Sequence, residues 1–150
     1  MSLASPGTEY ELTDTPLSSV EGGTSLLVTG SRDDGLDAFV HRLLSADENE
    51  GVVGIAADES GRTFRRTHRR ESGGSRASIG VVDCYSDPGG RTDDETVLAD
   101  PDDLTAVNMQ FSSLCDELQF DGVEGVRSGL VTVSPFCAAC EDMRDVYRFV

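Results

Sequence analysis

The stretch Leu26-Leu27-Val28-Thr29-Gly30-Ser31-Arg32-Asp33-Asp34-Gly35-Leu36-Asp37-Ala38-Phe39-Val40 decides how this chain is read. Ser25–Thr29 is a short, nearly continuous apolar run, which predicts a buried strand. Leu36, Val40, Leu43 and Leu44 then recur at helical spacing, with Phe39 widening the stripe. A Gly-bounded loop joins the two, and strand, loop and helix in this order form the frame of a phosphate-binding loop. Two positions break the pattern. Leu36 and Asp37 stand where such a loop carries its Lys and its Ser or Thr.

Further along, the same alternation continues. Gly51–Ala56 and Ile79–Cys84 are apolar runs of strand length, and Gly129–Val133 is a fourth. Arg62–Arg70 is expected to be a strongly basic helix, and Ser72–Arg76 a turn. Asp100 is a plausible N-cap, with Pro101 at the first helical position and Asp103 three residues after the cap. Leu104, Val107, Phe111, Leu114 and Leu118 then form an i, i+3, i+4 stripe. Met143, Val146, Tyr147 and Val150 suggest a final helix. Ser86–Glu95 is expected to be a polar loop. Strands alternating with helices imply an α/β fold: a mainly parallel sheet covered on both faces, a three-layer sandwich over residues 24–150. Residues 1–23 are polar and turn-rich, and are expected to be a flexible arm with a short docked piece at Tyr10–Leu12. Ligands of parallel sheets gather at the carboxyl ends of the strands. That directs attention to Gly30–Asp37, Asp58–Glu59, Ser86–Gly90 and Ser134–Asp142.

Composition narrows the partners. The 150 residues fit one domain. Acidic residues number 28 against 12 basic, and the net charge is −16. Every basic residue is arginine; there is no lysine. Such acidic surfaces are used by halophiles, and a haloarchaeal source is expected. Nucleic acid is disfavoured, because its affinity rests on cationic contacts to phosphate. No apolar run reaches the ~18 residues of a membrane span, and no secretory signal opens the chain, so a cytoplasmic protein is expected, with Cys84, Cys115, Cys137 and Cys140 reduced.

The order of blocks is familiar. LLVTG, GIAADES, IGVVDC, DPDDLTAVNMQFSSLCDEL, GLVTVS and DVYRFV together resemble the RecA-superfamily ATPases of the KaiC type, and more narrowly the small haloarchaeal RecA/KaiC-like proteins of unassigned function. The resemblance implies a RecA-like sheet. It also implies that Gly30, Ser31, Arg32, Asp33, Asp34, Gly35, Leu36 and Asp37 form a degenerate phosphate-binding loop. Val131 stands where the family places a magnesium-holding Asp. Asp58 and Glu59 match the family's carboxylate pair, one member of which polarises the attacking water. Members continue beyond the position of Tyr147–Val150 into a further strand, so a sheet shortened at the C-terminal side, or a truncated sequence, is expected. An uncovered sheet edge invites a partner.

Asp33, Asp34 and Asp37 crowd a helix N-terminus that would otherwise favour an anion. Each like-charge contact near 4 Å costs about 1 kcal/mol in water and about 4 near a protein surface. The expectation is therefore a non-catalytic RecA/KaiC-like regulatory or protein-interaction module, with no cofactor and no metal. The alternative is a divergent ATPase that binds ATP and magnesium and uses Asp58 and Glu59 in a high-salt cytoplasm. Arg62, Arg65, Arg66, Arg69 and Arg70 largely share one helix face. They are either a docking patch for an acidic partner, a nucleotide or nucleic acid, or a solvated face paired with nearby carboxylates. Cys137-Ala138-Ala139-Cys140 has redox or half-zinc spacing, but no second half is evident. Asp58 or Ser60 is read as a cap for the basic helix, and no catalytic role is assigned to Asp83.

Overall fold

The computed structural model describes residues 7–87 and 96–150. Residues 1–6 of the expected arm and residues 88–95 of the expected Ser86–Glu95 loop lie outside the described residues. The chain is α/β. Four parallel strands form the sheet: β3 (Glu50–Ala56), β4 (Ser78–Asp83), β5 (Thr96–Leu98) and β6 (Gly125–Leu130), in the order β5-β4-β3-β6. A separate antiparallel hairpin, β1 (Glu9–Glu11) with β2 (Ser19–Glu21), precedes it. The helices are α1 (Leu36–Leu43), α2 (Gly61–Glu71), α3 (Leu104–Phe120), α4 (Ser134–Ala139) and α5 (Met143–Phe149).

The two-residue period of β3 sorts its side chains into two layers. Gly51, Val53 and Ile55 turn towards α3, where Val82, Val107, Phe111, Leu114 and Cys115 complete a hydrocarbon core. Val52, Gly54 and Ala56 turn towards α2, where Phe64, Ile79 and Val81 close the second core with Leu44 from the end of α1. Gly54 is required at its position. A Cβ there would lie 2.3 Å from the Phe64 ring. This is the three-layer arrangement the alternation implied.

Several elements differ from their sequence reading. Ser25–Thr29 is not a buried strand: it has no regular structure, and Leu27 is 88% exposed. No backbone hydrogen bond joins it to the sheet among the described residues, so its apolar composition is not matched by a ladder. The fourth strand runs over Gly125–Leu130 rather than Gly129–Val133. Its first four residues, Gly-Val-Arg-Ser, are too polar to read as buried, yet Arg127 is 8% exposed and donates to Glu50 at 2.7 Å and to the Glu11 carbonyl at 2.8 Å. The cap of α3 is Asp103, whose side chain accepts from the Ala106 amide at 3.0 Å; Asp100 instead accepts from Asp102 in the preceding turn. The three-residue strand β5 and the short helix α4 carry too few residues to show a period. Residues 9–21 of the stretch read as an arm form the hairpin, with Tyr10 buried against Gly125.

Candidate functional site

The loop between Thr29 and α1 contains a tight 3-10 turn over Arg32–Asp34, and three of its amides are bonded within the turn. The Asp33 amide donates to the Ser31 hydroxyl at 3.3 Å, Asp34 to the Ser31 carbonyl at 3.1 Å, and Gly35 to the Arg32 carbonyl at 3.1 Å. Gly35 adopts φ +81°, the left-handed conformation that lets the turn feed directly into α1. A phosphate cradle needs amides that converge outward. Here three of the loop's amides turn inward.

The loop's cation is engaged as well. Arg32 donates through Nε to Asp37 at 3.1 Å and through Nη2 to Asp58 in a close ion pair. Both carboxylates hold the guanidinium, Asp58 first, and raise its pKa further. Arg32 thus ties the loop to the end of β3. The helix cap is Ser60, whose hydroxyl accepts from the Thr63 amide at 3.2 Å, which leaves Asp58 to Arg32. Glu59 is half-buried. Burial first, then the neighbouring Asp58 and Asp37, pushes its carboxyl above the usual range, a property shared with general acids and bases. The structure therefore brings Arg32, Asp37, Asp58 and Glu59 to one end of the sheet. Val131 lies just past the end of β6 and offers no ligand atom beyond its backbone.

Asp83, at the end of β4, has a larger structural part than the sequence suggested. It is 3% exposed. Its carboxylate accepts from the Gly61 amide at 2.8 Å, the Tyr85 amide at 2.9 Å, and both the amide and hydroxyl of Ser86 at 2.8 and 2.7 Å. Burial alone would raise its pKa; the hydrogen bonds from Gly61, Ser86 and Tyr85 outweigh this and hold it below the usual carboxylate range. Asp83 pins the start of α2 to the turn after β4. The signal for this role is its place at a strand end immediately before a run of turn residues.

The arginines of α2 divide. Arg62, Arg66, Arg69 and Arg70 are exposed, and Arg65 is half-buried. Arg70 donates to Glu71 at 3.0 Å. On the buried side of the same helix, His68 packs on Phe64 and on His41 of α1, with a histidine centroid separation of 5.6 Å. Both ring nitrogens of His68 and Nδ1 of His41 have no protein hydrogen-bond partner. Both histidines fall within helical stretches of the sequence, and their meeting is a tertiary contact that no local pattern contains.

The cysteines are free. Burial pushes the thiols of Cys84 and Cys115 up to about 12, which keeps them protonated and poorly nucleophilic. Cys137 lies in α4, Cys140 caps it, and no cluster of three or more metal-ligating side chains occurs among the described residues. No helix among them is long and apolar enough to cross a membrane.

Neither a curated protein nor a solved structure matches the chain. The resemblance to RecA/KaiC-like ATPases is corrected by the family comparison: no RecA, KaiC or P-loop family matches, and block order with two surviving glycines does not amount to membership. A different family model covers residues 23–150, nearly the whole chain, and the protein belongs to that family, DUF7504, a family of unknown function.

Proposed function

We propose that the protein is a non-catalytic protein-interaction module, with the arginine face of α2 as its contact surface. One observation carries this reading: the loop at the head of α1 is closed upon itself. Its turn amides are satisfied internally, and Arg32 is shared between Asp37 and Asp58. An incoming triphosphate would have to displace those carboxylates and face Asp33 and Asp34 as well, against repulsion of about 1–4 kcal/mol per close contact.

The contact face is Arg62, Arg66 and Arg69, exposed on a helix whose other side is fixed in the core by Phe64 and His68. Its chemistry suits an acidic protein surface through charge-assisted hydrogen bonds. The net charge of −16 would oppose this at low salt. The lysine-free, acidic composition supports a high-salt milieu, where the Debye length falls to about 3 Å at 1 M. Distant carboxylates are then screened, and the arginines in direct contact decide the outcome.

A second reading is favoured by Glu59 alone: a divergent ATPase in which this carboxyl, held above its usual range, polarises water. Calorimetry in multimolar KCl separates the two. MgATP is expected to give no saturable heat up to millimolar concentration. An acidic polyglutamate peptide is expected to bind, and Arg62→Ser/Arg66→Ser/Arg69→Ser to weaken that binding about tenfold or more. Micromolar MgATP binding, with turnover abolished by Glu59→Gln, would overturn the proposal in favour of the enzyme.

A further inference from the structure

The outer edge of β6 faces a groove of about 490 Å3. The strand is paired with β3 on one side and is the last in the sheet order. Unpaired edges of parallel sheets are ordinarily covered. One wall of the groove is Val40 and Leu43 of α1; the other is Phe111 and Phe149 from the opposite layer. The slot therefore lies between residues of both apolar layers. Along its rim lie Leu26, Leu27 and Val28, with Leu26 44% and Leu27 88% exposed.

We infer that this edge is a strand-accepting site and that its occupant is the chain's own Ser25–Thr29, which adds beside Val126–Leu130 as a fifth parallel strand. Three observations select this occupant. The first is direction. Just upstream of the segment, the hairpin is anchored beside the start of β6, where Tyr10 meets Gly125 and Arg127 reaches the Glu11 carbonyl. Just downstream, Arg32 is anchored at the carboxyl end of β3 through Asp58. The segment between them already runs in the same direction as β6. The second is length: five residues face a strand of six. The third is composition. Successive side chains of a strand point to opposite faces, so Leu27 would enter one apolar layer while Leu26 and Val28 enter the other. Docking also makes the segment, α1 and β3 a βαβ crossover over β6, the ordinary connection of parallel strands.

Hydrogen exchange on the intact protein tests this without any substitution. The amides of Leu26–Thr29 are expected to exchange at least about a hundredfold more slowly than in an unstructured peptide, at a rate independent of protein concentration. Rates within about tenfold of the unstructured reference would overturn the inference. So would protection that appears only as concentration rises, because the edge would then be filled by a second copy. Leu27→Asp provides the second measurement. With Leu27 exposed, the change is expected to be silent; with the segment docked, it is expected to remove the protection and lower Tm by roughly 5 °C or more. An unchanged Tm together with unchanged exchange would likewise overturn it.

Discussion

The two faces of the sheet are built by different means. Towards α3 the core is hydrocarbon and thiol throughout: Val53, Ile55, Val82, Phe111, Leu114 and Cys115, closed further out by Phe136 and Phe149. Towards α1 and α2 the same strands meet Phe64, but also the buried His41 and His68 and, at the strand ends, the carboxylates of Asp83 and Asp58. The α3 face depends on burial, which is non-directional and tolerant of small shifts. The α1–α2 face depends on specific contacts, and the proposed contact surface, the arginines of α2, lies on this side. The two faces should therefore respond differently to the same insult.

Glycine substitutions in β3 give the largest expected contrast. In Gly54→Ala the new methyl would lie 2.3 Å from the Phe64 ring, a rigid group that is 0% exposed and cannot retreat. Overpacking of this kind is expected to cost about 3 kcal/mol. In Gly51→Ala, on the other face, the methyl meets the tip of Leu118 at 2.8 Å. A flexible side chain at the edge of a hydrocarbon core can move aside, and about 1 kcal/mol is expected. Urea unfolding of both variants checks the difference; equal losses would show that the faces pack with the same rigidity.

Acid should act on one face alone. Burial, reinforced by the nearby His41 and Arg69, pushes the His68 pKa down to about 4. His41 is lowered as well, chiefly by burial, while Asp37 and Glu71 pull it up and Arg70 pulls it down. The unfolded chain binds these protons near pH 6.5. Between that pH and about 4 the unfolded state therefore holds more protons than the folded one, and stability falls as pH falls through the window. For His68 the expected loss is about 2–3 kcal/mol. Carboxylates titrate nearby, so the informative quantity is a difference. The stability gap between wild type and His68→Phe should close or reverse from pH 7 to 4.5. A gap independent of pH would mean that the histidine pair is solvated.

How much of this was legible in the sequence follows from the same division. The α3 stripe from Leu104 to Leu118, the strands β3 and β4, and the helix of Arg62–Arg70 are periodic apolar or amphipathic signals, and all appear where the pattern places them. The polar contacts are non-local. Arg127 reaches Glu50 and Glu11, residues 77 and 116 positions away; nothing in Gly-Val-Arg-Ser announces a buried arginine, so the apolar pattern places the start of the last strand four residues late. Asp83 and Gly61 are 22 residues apart. The resemblance to a phosphate-loop family is limited for a related reason. Two glycines at the right spacing specify a turn, but the direction of its amides depends on φ and on the partner of Arg32, which a local pattern does not contain. Leu26–Val28 reads as strand because its composition suits one; in the structure it lies along the β6 groove without a ladder.

The smallest expected effect lies at the loop itself. Arg32 is 53% exposed and Asp37 43%, and Asp58 is 23% exposed at its side chain. Exposed ion pairs contribute about 0–1 kcal/mol, because two mobile side chains lose entropy and water screens their attraction. Arg32→Ala is therefore expected to lower stability by less than about 1 kcal/mol at low salt and by nothing measurable in multimolar KCl. Asp58→Asn is the more informative partner. It removes one claim on the guanidinium while leaving the 3-10 turn intact, since the turn's hydrogen bonds run between Ser31, Arg32 and the three amides that follow. If the arginine clasp alone excludes phosphate, Asp58→Asn should acquire measurable affinity for pyrophosphate. If the inward-facing amides exclude it, as the geometry of the turn requires, the variant should remain silent in calorimetry at millimolar pyrophosphate. The second outcome is expected, because one released cation does not supply the converging donors that a phosphate site needs.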